Sequence, residues 1–432
     1  GVAYDSREVG PGDLFVALKG ESSDGHRFVP QAIVQGMAGA IVSQPIDAPH
    51  VLVADTTAAL NALGAASRAR SGAKIIGVTG SVGKTGTKEA LFAALDRAAP
   101  GRAHRSVKSY NNHVGVPLSL ARMPADARFG VFEMGMNHAG ELDALARLVR
   151  PHVALVTAIA PAHSAFFSGE EAIADAKGEI FRGLEPGGTA IIPYDSPHRD
   201  RLIAAAEPHA ATILTFGRSK GPDVRATEAV RATAGTLVNA TLPSGALTFT
   251  IGLPGEHWVS NALAVLAAVE AVGGDLAAAG LALAEMAGLP GRGARVVVRL
   301  ADGEALLIDE SYNANPASMA ATIRELGNEK ATRRIALLGE MRELGGGSDA
   351  YHAALADPLV AANADIVLLV GDAMAPLAES LAGRIDVAHV ADAAAARARL
   401  VEIIRPGDAV LVKGSNAIGL ASVVHALARE NA

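Results

Sequence analysis

The sequence predicts an α/β protein built from three domains, and three observations point there. Short apolar runs alternate with helical patterns over most of the chain, the rhythm of parallel strands with helices packed on both faces. At 432 residues the chain is too long for one core, because domains commonly run to about 100–200 residues. The stretch "IIGVTGSVGKTGTKEAL" at 75–91 reads as a strand, a glycine turn and a helix, the sequence of a nucleotide-binding unit.

The first unit spans residues 1–72. It holds strand signals ("LFVAL", "GAIVS", "VLVAD") and helical ones ("FVPQAIVQGM", "TAALNALGAASRAR"), a small α/β unit followed by the linker-like "RSGAK". The opening "GVAYDSREVGPGDLF" reads as the middle of a domain, so this unit is expected to be truncated at its start. The second unit spans 73–290. Its strands are "KIIGVTG", "FGVFEMG", "VALVTAI" and "TAIIPY", and its helices include "KTGTKEALFAALDRA", "GELDALARLV" and "EEAIADAKGEIFRGL". From 223 to 251 the period falls to two, as in "TLVNATLPSGALTFTI", which predicts an antiparallel hairpin or meander ending the sheet. The third unit, 291–432, restarts the rhythm with "ALLIDES", "RRIALLG", "DIVLLVG" and "DAVLVKG", a Rossmann-like pattern.

Composition removes several classes of function. The net charge is −7 and no basic tract stands out, which argues against nucleic acid as the partner. There is no cysteine, so disulfides, thiolate metal sites and cysteine nucleophiles are excluded, and a cytoplasmic location fits. The most apolar stretch, 262–289, is broken by Glu270, Asp275, Glu285 and two adjacent glycines. It reads as two alanine-rich helices, so no membrane insertion is expected.

The phosphate loop departs from the commonest spacing, which puts a glycine where this chain has Val78. Its physics is intact. Gly80, Ser81, Val82 and Gly83 let the backbone amides converge on an anion, and the following helix adds its positive end. Lys84 reaches the terminal phosphates, and the Thr85 hydroxyl is placed for magnesium. A tight strand–helix turn with a chance Gly-Lys-Thr is the bland alternative. A kinase, an ATP-driven switch and a ligase all remain open on the loop alone.

The shortened loop "TGSVGKTGTKE" resembles that of the Mur ligases, ATP-dependent amide-forming enzymes of peptidoglycan synthesis. "DSREVGPGDLFVALKGESSDGHRFV", "NNHVGVPLSL", "FEMGMNHAGELDAL", "ADAKGEIF", "DESYNANPASM", "LLGEMRELG" and "LVKGS" extend the resemblance, in order, along almost the whole chain. "SYNANP" points to the branch that adds D-alanyl-D-alanine to a UDP-N-acetylmuramoyl tripeptide. The resemblance implies a UDP-substrate domain, a central ATPase domain and a C-terminal Rossmann-like domain. It implies ATP and two magnesium ions, and an acyl-phosphate intermediate; a monomer is expected, although no residue reads on the oligomeric state. A sibling ligase and a folylpolyglutamate-type synthetase are disfavoured by "NNHVGVPLSL" and "SYNANP" together. An ATP-hydrolysing switch would need Lys84 and Thr85 but neither His163 nor Lys177.

The resemblance also implies roles. Glu133, at the end of "FGVFEMG", matches a magnesium ligand; otherwise it caps the helix starting near 140. His163 in "APAHSAFF" and Lys177 match groups around a second magnesium, the lysine as its N-carboxylate. On sequence alone Lys177 is an exposed lysine in mid-helix, with Gly178 leaving room beside it. Asn111 and Asn112 resemble an asparagine pair at the acyl phosphate, and Asn112 is taken as the site member. His257 and Asn261 face the adenosine, with Trp258 where many members have asparagine. Glu310 stands in place of an aspartate that holds the ribose, and Tyr312, Asn313 and Asn315 follow it toward the nucleotide. Arg292, in the hinge "LPGRGAR", matches an arginine that reaches the γ-phosphate. For the UDP substrate, Asp5, Ser6, Arg7, Lys19, Asp24 and His26 offer carboxylates, hydroxyl and cations suited to uracil and diphosphate. Several of these could equally be turn residues. Lys413 either meets the dipeptide carboxylate or ends a strand.

Overall fold

The computed structural model describes residues 1–20, 23–161, 167, 169–232 and 235–429. Among the described residues the strands form three sheets. The first holds Val2–Ala3, Leu14–Val16, Gly39–Val42 and His50–Leu52, all parallel and in that order.

The second sheet carries the phosphate loop. Its parallel part runs Val224–Ala232, Thr212–Gly217, Thr189–Pro193, Val153–Val156, Lys74–Thr79, Phe129–Glu133 and Ala103–Arg105. Gly235–Leu242 and Gly245–Ile251 extend it antiparallel, the meander that the period-two stretch predicts. Alternation along Lys74–Thr79 sends Ile75 to one core and Ile76 to the other, so both faces are covered. Leu91 and Leu95 of helix Lys84–Ala98 and Leu263 and Leu266 of Glu256–Ala271 fill the Ile76 side. Leu142 and Leu145 of Glu141–Val149 and Phe181 fill the other. The register sets Val78 beside Glu133 and Thr79 beside Val156, so these strands end together. Ligand sites of open α/β sheets lie at that edge.

The third sheet runs Ala294–Leu300, Gly303–Glu310, Asp408–Lys413, Arg333–Gly339, Ile366–Val370 and Asp386–Val390, with only the first pair antiparallel. Glu310 pairs in register with Lys413 at one end of their strands.

Helix Thr56–Arg70 fastens the first sheet to the second. Leu60 shares one small core with Val16, Ile41 and Leu118, the last from helix Gly115–Ala121. A side chain at Gly64 would stand 2.9 Å from the Pro117 carbonyl oxygen, so only glycine permits this approach. Arg68 is buried, and donates from Nε to the Val149 carbonyl at 2.8 Å and from Nη2 to that of Arg150 at 2.7 Å. Arg68→Met should therefore strand two carbonyls and cost about 2–3 kcal/mol. Denaturant unfolding should show that loss for Arg68→Met and almost none for the exposed Arg70→Met.

Candidate functional site

The phosphate loop is pinned from behind by the segment after strand Val153–Val156. The Thr157 hydroxyl donates to the Val82 carbonyl at 2.6 Å, and the Ser81 amide donates to Ala158 at 2.8 Å. The Ala160 amide returns a bond to Ser81 Oγ at 3.1 Å. Gly83 has φ 84° and begins helix Lys84–Ala98 with no side-chain cap, which leaves the first amides of the helix to an anion. Lys84 Nζ folds back to the Gly80 carbonyl at 2.5 Å. Burial lowers its pKa and nearby Arg292 adds to this, while Glu133 opposes both.

Glu133 organises the front of the loop. Its carboxylate is buried, accepting from Thr85 Oγ1 at 2.9 Å and from Asn111 Nδ2 at 2.7 Å. It does not cap the helix near 140. Glu179 does that, accepting from the amides of Gly140 at 2.7 Å and Asp143 at 3.2 Å. Of the asparagine pair, Asn111 rather than Asn112 is the one brought to Glu133. Asn112 turns its side-chain oxygen to the amides of Val114 and Gly115 and starts the next helix. Arg292 arrives from the hinge, its guanidinium 4.1 Å from the Tyr312 ring centroid and donating to Ser109 Oγ at 3.2 Å.

Lys177 differs from its sequence reading. It sits in the last turn of helix Glu170–Gly178, not mid-helix, and is only 2% exposed. Its pKa is lowered well below the ordinary value by burial, with repulsion from Lys84 added. Among the described residues its ammonium has no hydrogen-bond or ion-pair partner. The space at Gly178 serves packing instead, since a side chain there would meet Ala205 Cβ at 2.8 Å. His163 lies outside the described residues.

On the nucleotide side, Asn261 faces the loop; a side chain at Gly83 would come 2.9 Å from its Oδ1. His257 and Trp258 stand one turn earlier, and the indole edge would be 2.8 Å from a side chain at Gly86. Lys413 is buried at its strand end, donating to the Asn313 carbonyl at 2.8 Å and lying 3.6 Å from Glu310 Oε2. Burial raises the Glu310 pKa, opposed by Lys413 and Arg292. Asn315 is the N-cap of helix Pro316–Gly327, its side chain accepting from Ser318. Its oxygen is thus committed to the helix, and Asn313 Oδ1 likewise accepts from the Ala314 amide.

The N-terminal candidates are engaged locally. Asp5 caps the turn Ser6–Glu8 and chelates Arg7, while Ser6 donates to Gln31. Asp24 caps the turn Gly25–Phe28 and holds His26 Nδ1 at 2.6 Å, so that His26 Nε2 accepts the Ser43 amide. Lys19 is exposed and bridges to Asp24 through the backbone. Sequence reasoning passed over Ser109 and Lys88. Lys88 is fully buried and donates to the carbonyls of Ser106 at 2.9 Å and Lys108 at 2.6 Å. Its signal was present: it lies three residues before Leu91 and seven before Leu95, on the apolar side of the helix.

Three family models match in sequence order. They are described as Mur ligase family, catalytic domain, over residues 1–94, Mur ligase middle domain over 78–269, and Mur ligase, glutamate ligase domain, over 294–416. The UDP-N-acetylmuramoyl-tripeptide–D-alanyl-D-alanine ligase of Escherichia coli is 37% identical, covering 99% of this chain and 93% of the relative. Its Bacillus subtilis counterpart is 33% identical over 98% and 92%. Among solved structures, MurF from Acinetobacter baumannii superposes with a TM-score of 0.86 at 34% identity, covering 99% of this chain and 93% of the other. MurF ligase from Thermotoga maritima in complex with ADP gives 0.81 at 26% identity, covering 99% and 97%. The fold, the phosphate loop with its Glu133 clasp, and these matches agree: the chain belongs to the Mur ligase family.

Proposed function

We propose that the chain is an ATP-dependent, ADP-forming ligase that joins D-alanyl-D-alanine to UDP-N-acetylmuramoyl tripeptide in peptidoglycan precursor synthesis. The names of the relatives supply the substrates. The observation that carries a ligase over an ATP-hydrolysing switch is Lys177, buried beside Lys84 with no partner among the described residues. A switch has no use for such a group. We divide the chain into a UDP-substrate domain at 1–72, an ATP domain at 73–290 and a ligase domain at 291–432. No helix among the described residues is long and apolar enough to cross a membrane. We place the reaction in the cytoplasm, where ATP is supplied, and on a monomer.

The tripeptide carboxylate attacks the γ-phosphorus, the bond to ADP breaks, and an acyl phosphate forms. The dipeptide amine then attacks the acyl carbon, phosphate leaves, and the amine proton passes to solvent. The difficulty is electrostatic, because a carboxylate must approach a polyanion. Lys84 and the uncapped helix start take the β- and γ-phosphates, and Arg292 adds charge from the hinge. Asn111, rather than Asn112, is the amide we assign beside the reacting carboxylate. Asn261, with His257 and Trp258, borders the adenosine. Glu310 and Tyr312 lie toward the ribose. Asn313 and Asn315 support that wall through the backbone. Asp5, Ser6, Arg7, Lys19, Asp24 and His26 form the uridine side.

Magnesium supplies further neutralisation when bound. Thr85 and Glu133 fit it, being oxygen donors 2.9 Å apart. No cluster of three or more histidine, aspartate or glutamate ligands occurs among the described residues. Such a sparse set suits an ion that keeps water and phosphate ligands. Lys177 has the chemistry for N-carboxylation. Burial favours its uncharged amine, which would add carbon dioxide and release a proton to become an oxygen-donor anion. With His163 it would hold a second magnesium.

Purified protein should release phosphate only with the tripeptide present, and faster with D-alanyl-D-alanine added; equal ATP turnover without either substrate would favour the switch. Lys84→Ala should lower turnover by about 1,000-fold or more, while calorimetry finds UDP-tripeptide binding nearly intact. Lys177→Ala should lower ligation by about 100-fold, with partial recovery in acetate, whose carboxylate fits the vacated space. Full activity of Lys177→Ala without acetate would refute the carbamate.

A further inference from the structure

All three lobes meet at two residues that no role above explains. Lys108 is one of the few non-glycine residues in the left-handed region, with φ 54°. Such backbone strain persists only where the surroundings over-determine it, and it gathers at functional sites. Lys108 is held at both ends. Its ammonium pairs with Glu8 of the first lobe, and its carbonyl accepts from buried Lys88 of the phosphate-loop helix at 2.6 Å. Glu8 also accepts from Tyr110 Oη at 2.9 Å and lies 3.5 Å from Arg122 Nη2, so the carboxylate is anchored on three sides.

The next residue is Ser109. Its Oγ accepts from Arg292 at 3.2 Å and lies 3.4 Å from Thr85 Oγ1. The Thr85 hydrogen is already given to Glu133. Toward Ser109, Thr85 can therefore only accept, and Ser109 must donate. The result is a one-way chain from Arg292 through Ser109 and Thr85 to Glu133. The Thr85 rotor is set by its bond to Glu133, and Ser109 stands behind that hydroxyl, between it and Arg292.

We propose that Ser109 is a positioning residue for phosphoryl transfer, held in register by the Glu8–Lys108 contact so that the phosphate site is ordered only when the first lobe is docked. The inference rests on the ligase reading above. It also gives the turn Ser6–Glu8 two functions. Asp5, Ser6 and Arg7 face the uridine side, and Glu8, the last residue of the same turn, reports their position to the loop. An ion pair whose lysine is mostly exposed adds little to global stability. The readout is therefore kinetic.

Steady-state kinetics on the full chain, with ATP, magnesium, UDP-tripeptide and dipeptide, tests it with four single variants and one double. Lys108→Gly deletes the side chain and relieves the left-handed strain, so its thermal midpoint should equal or exceed that of the parent. Its kcat should nevertheless fall about tenfold, a typical coupling between sites, with KM for the UDP-tripeptide changed less than about twofold. Glu8→Ala and Ser109→Ala should do the same, and Ser109→Thr should restore most of kcat. The double variant Glu8→Ala/Ser109→Ala should lose no more than the worse single one, because both break one chain. Parental kcat in Lys108→Gly and Glu8→Ala overturns the proposal, as does a double loss equal to the product of the single losses. If the parent itself shows no substrate-dependent phosphate release, the ligase reading fails first and takes this inference with it.

Discussion

The hydrogen bond from Thr85 to Glu133 is the joint on which the site depends. It ties the first turn of the phosphate-loop helix to the neighbouring strand end. The tie is possible because the parallel register sets Val78 beside Glu133. One residue of slip would turn Glu133 to the other face of the sheet. Asn111 and Ser109 gather around this joint, and Arg292 reaches it from the hinge. A carboxylate at the mouth of an anion site is unfavourable by itself. The magnesium proposed between it and the phosphates would account for a buried acid in a site for a polyanion.

The lysines around the site divide by how their burial is compensated. Lys88 has two carbonyls and Glu89, and Lys413 has the Asn313 carbonyl and Glu310. Lys84 has one hydrogen bond, to the Gly80 carbonyl, and the charge of nearby Glu133, whereas Lys177 has no partner among the described residues. Burying an ammonium without hydrogen bonds is costly, and the usual response is loss of the proton. The two well-bonded lysines hold backbone segments together. The two poorly bonded ones lie at and beside the phosphate loop, and they are the two to which we assign chemistry.

Much of this was legible in the sequence. The alternation of apolar runs foretold the parallel sheets, and the fall to period two at 223–251 foretold the meander. Gly83, Lys84 and Thr85 carried their geometry with them, since a glycine turn between strand and helix has few alternatives. What was not legible depends on contacts between distant segments. Nothing in "NNHVG" tells Asn111 from Asn112, because the choice is made by Glu133 arriving from another strand. Lys177 reads as exposed, because the neighbours that cover it lie elsewhere in the chain. Helix Thr56–Arg70 reads as part of the first unit, yet Arg68 is spent on carbonyls of the second. Asp5 and Asp24 read equally well as ligands and as turn residues, and their side chains cap turns; Asn315 reads only as a nucleotide contact, yet its side chain caps a helix.

Trp258 is the chain's single tryptophan, and its indole edge lies over Gly86 in the first turn of the phosphate-loop helix. The chain therefore carries one indole, packed beside the phosphate-loop helix at the edge of the nucleotide site proposed here. Red-edge excitation, which bypasses the tyrosines, reads this indole alone. On the proposed reading of the site, its emission should shift when nucleotide binds, without any added label. Every step that changes the polarity around that helix turn can be followed in real time, on the unmodified chain, with no other indole to dilute the signal.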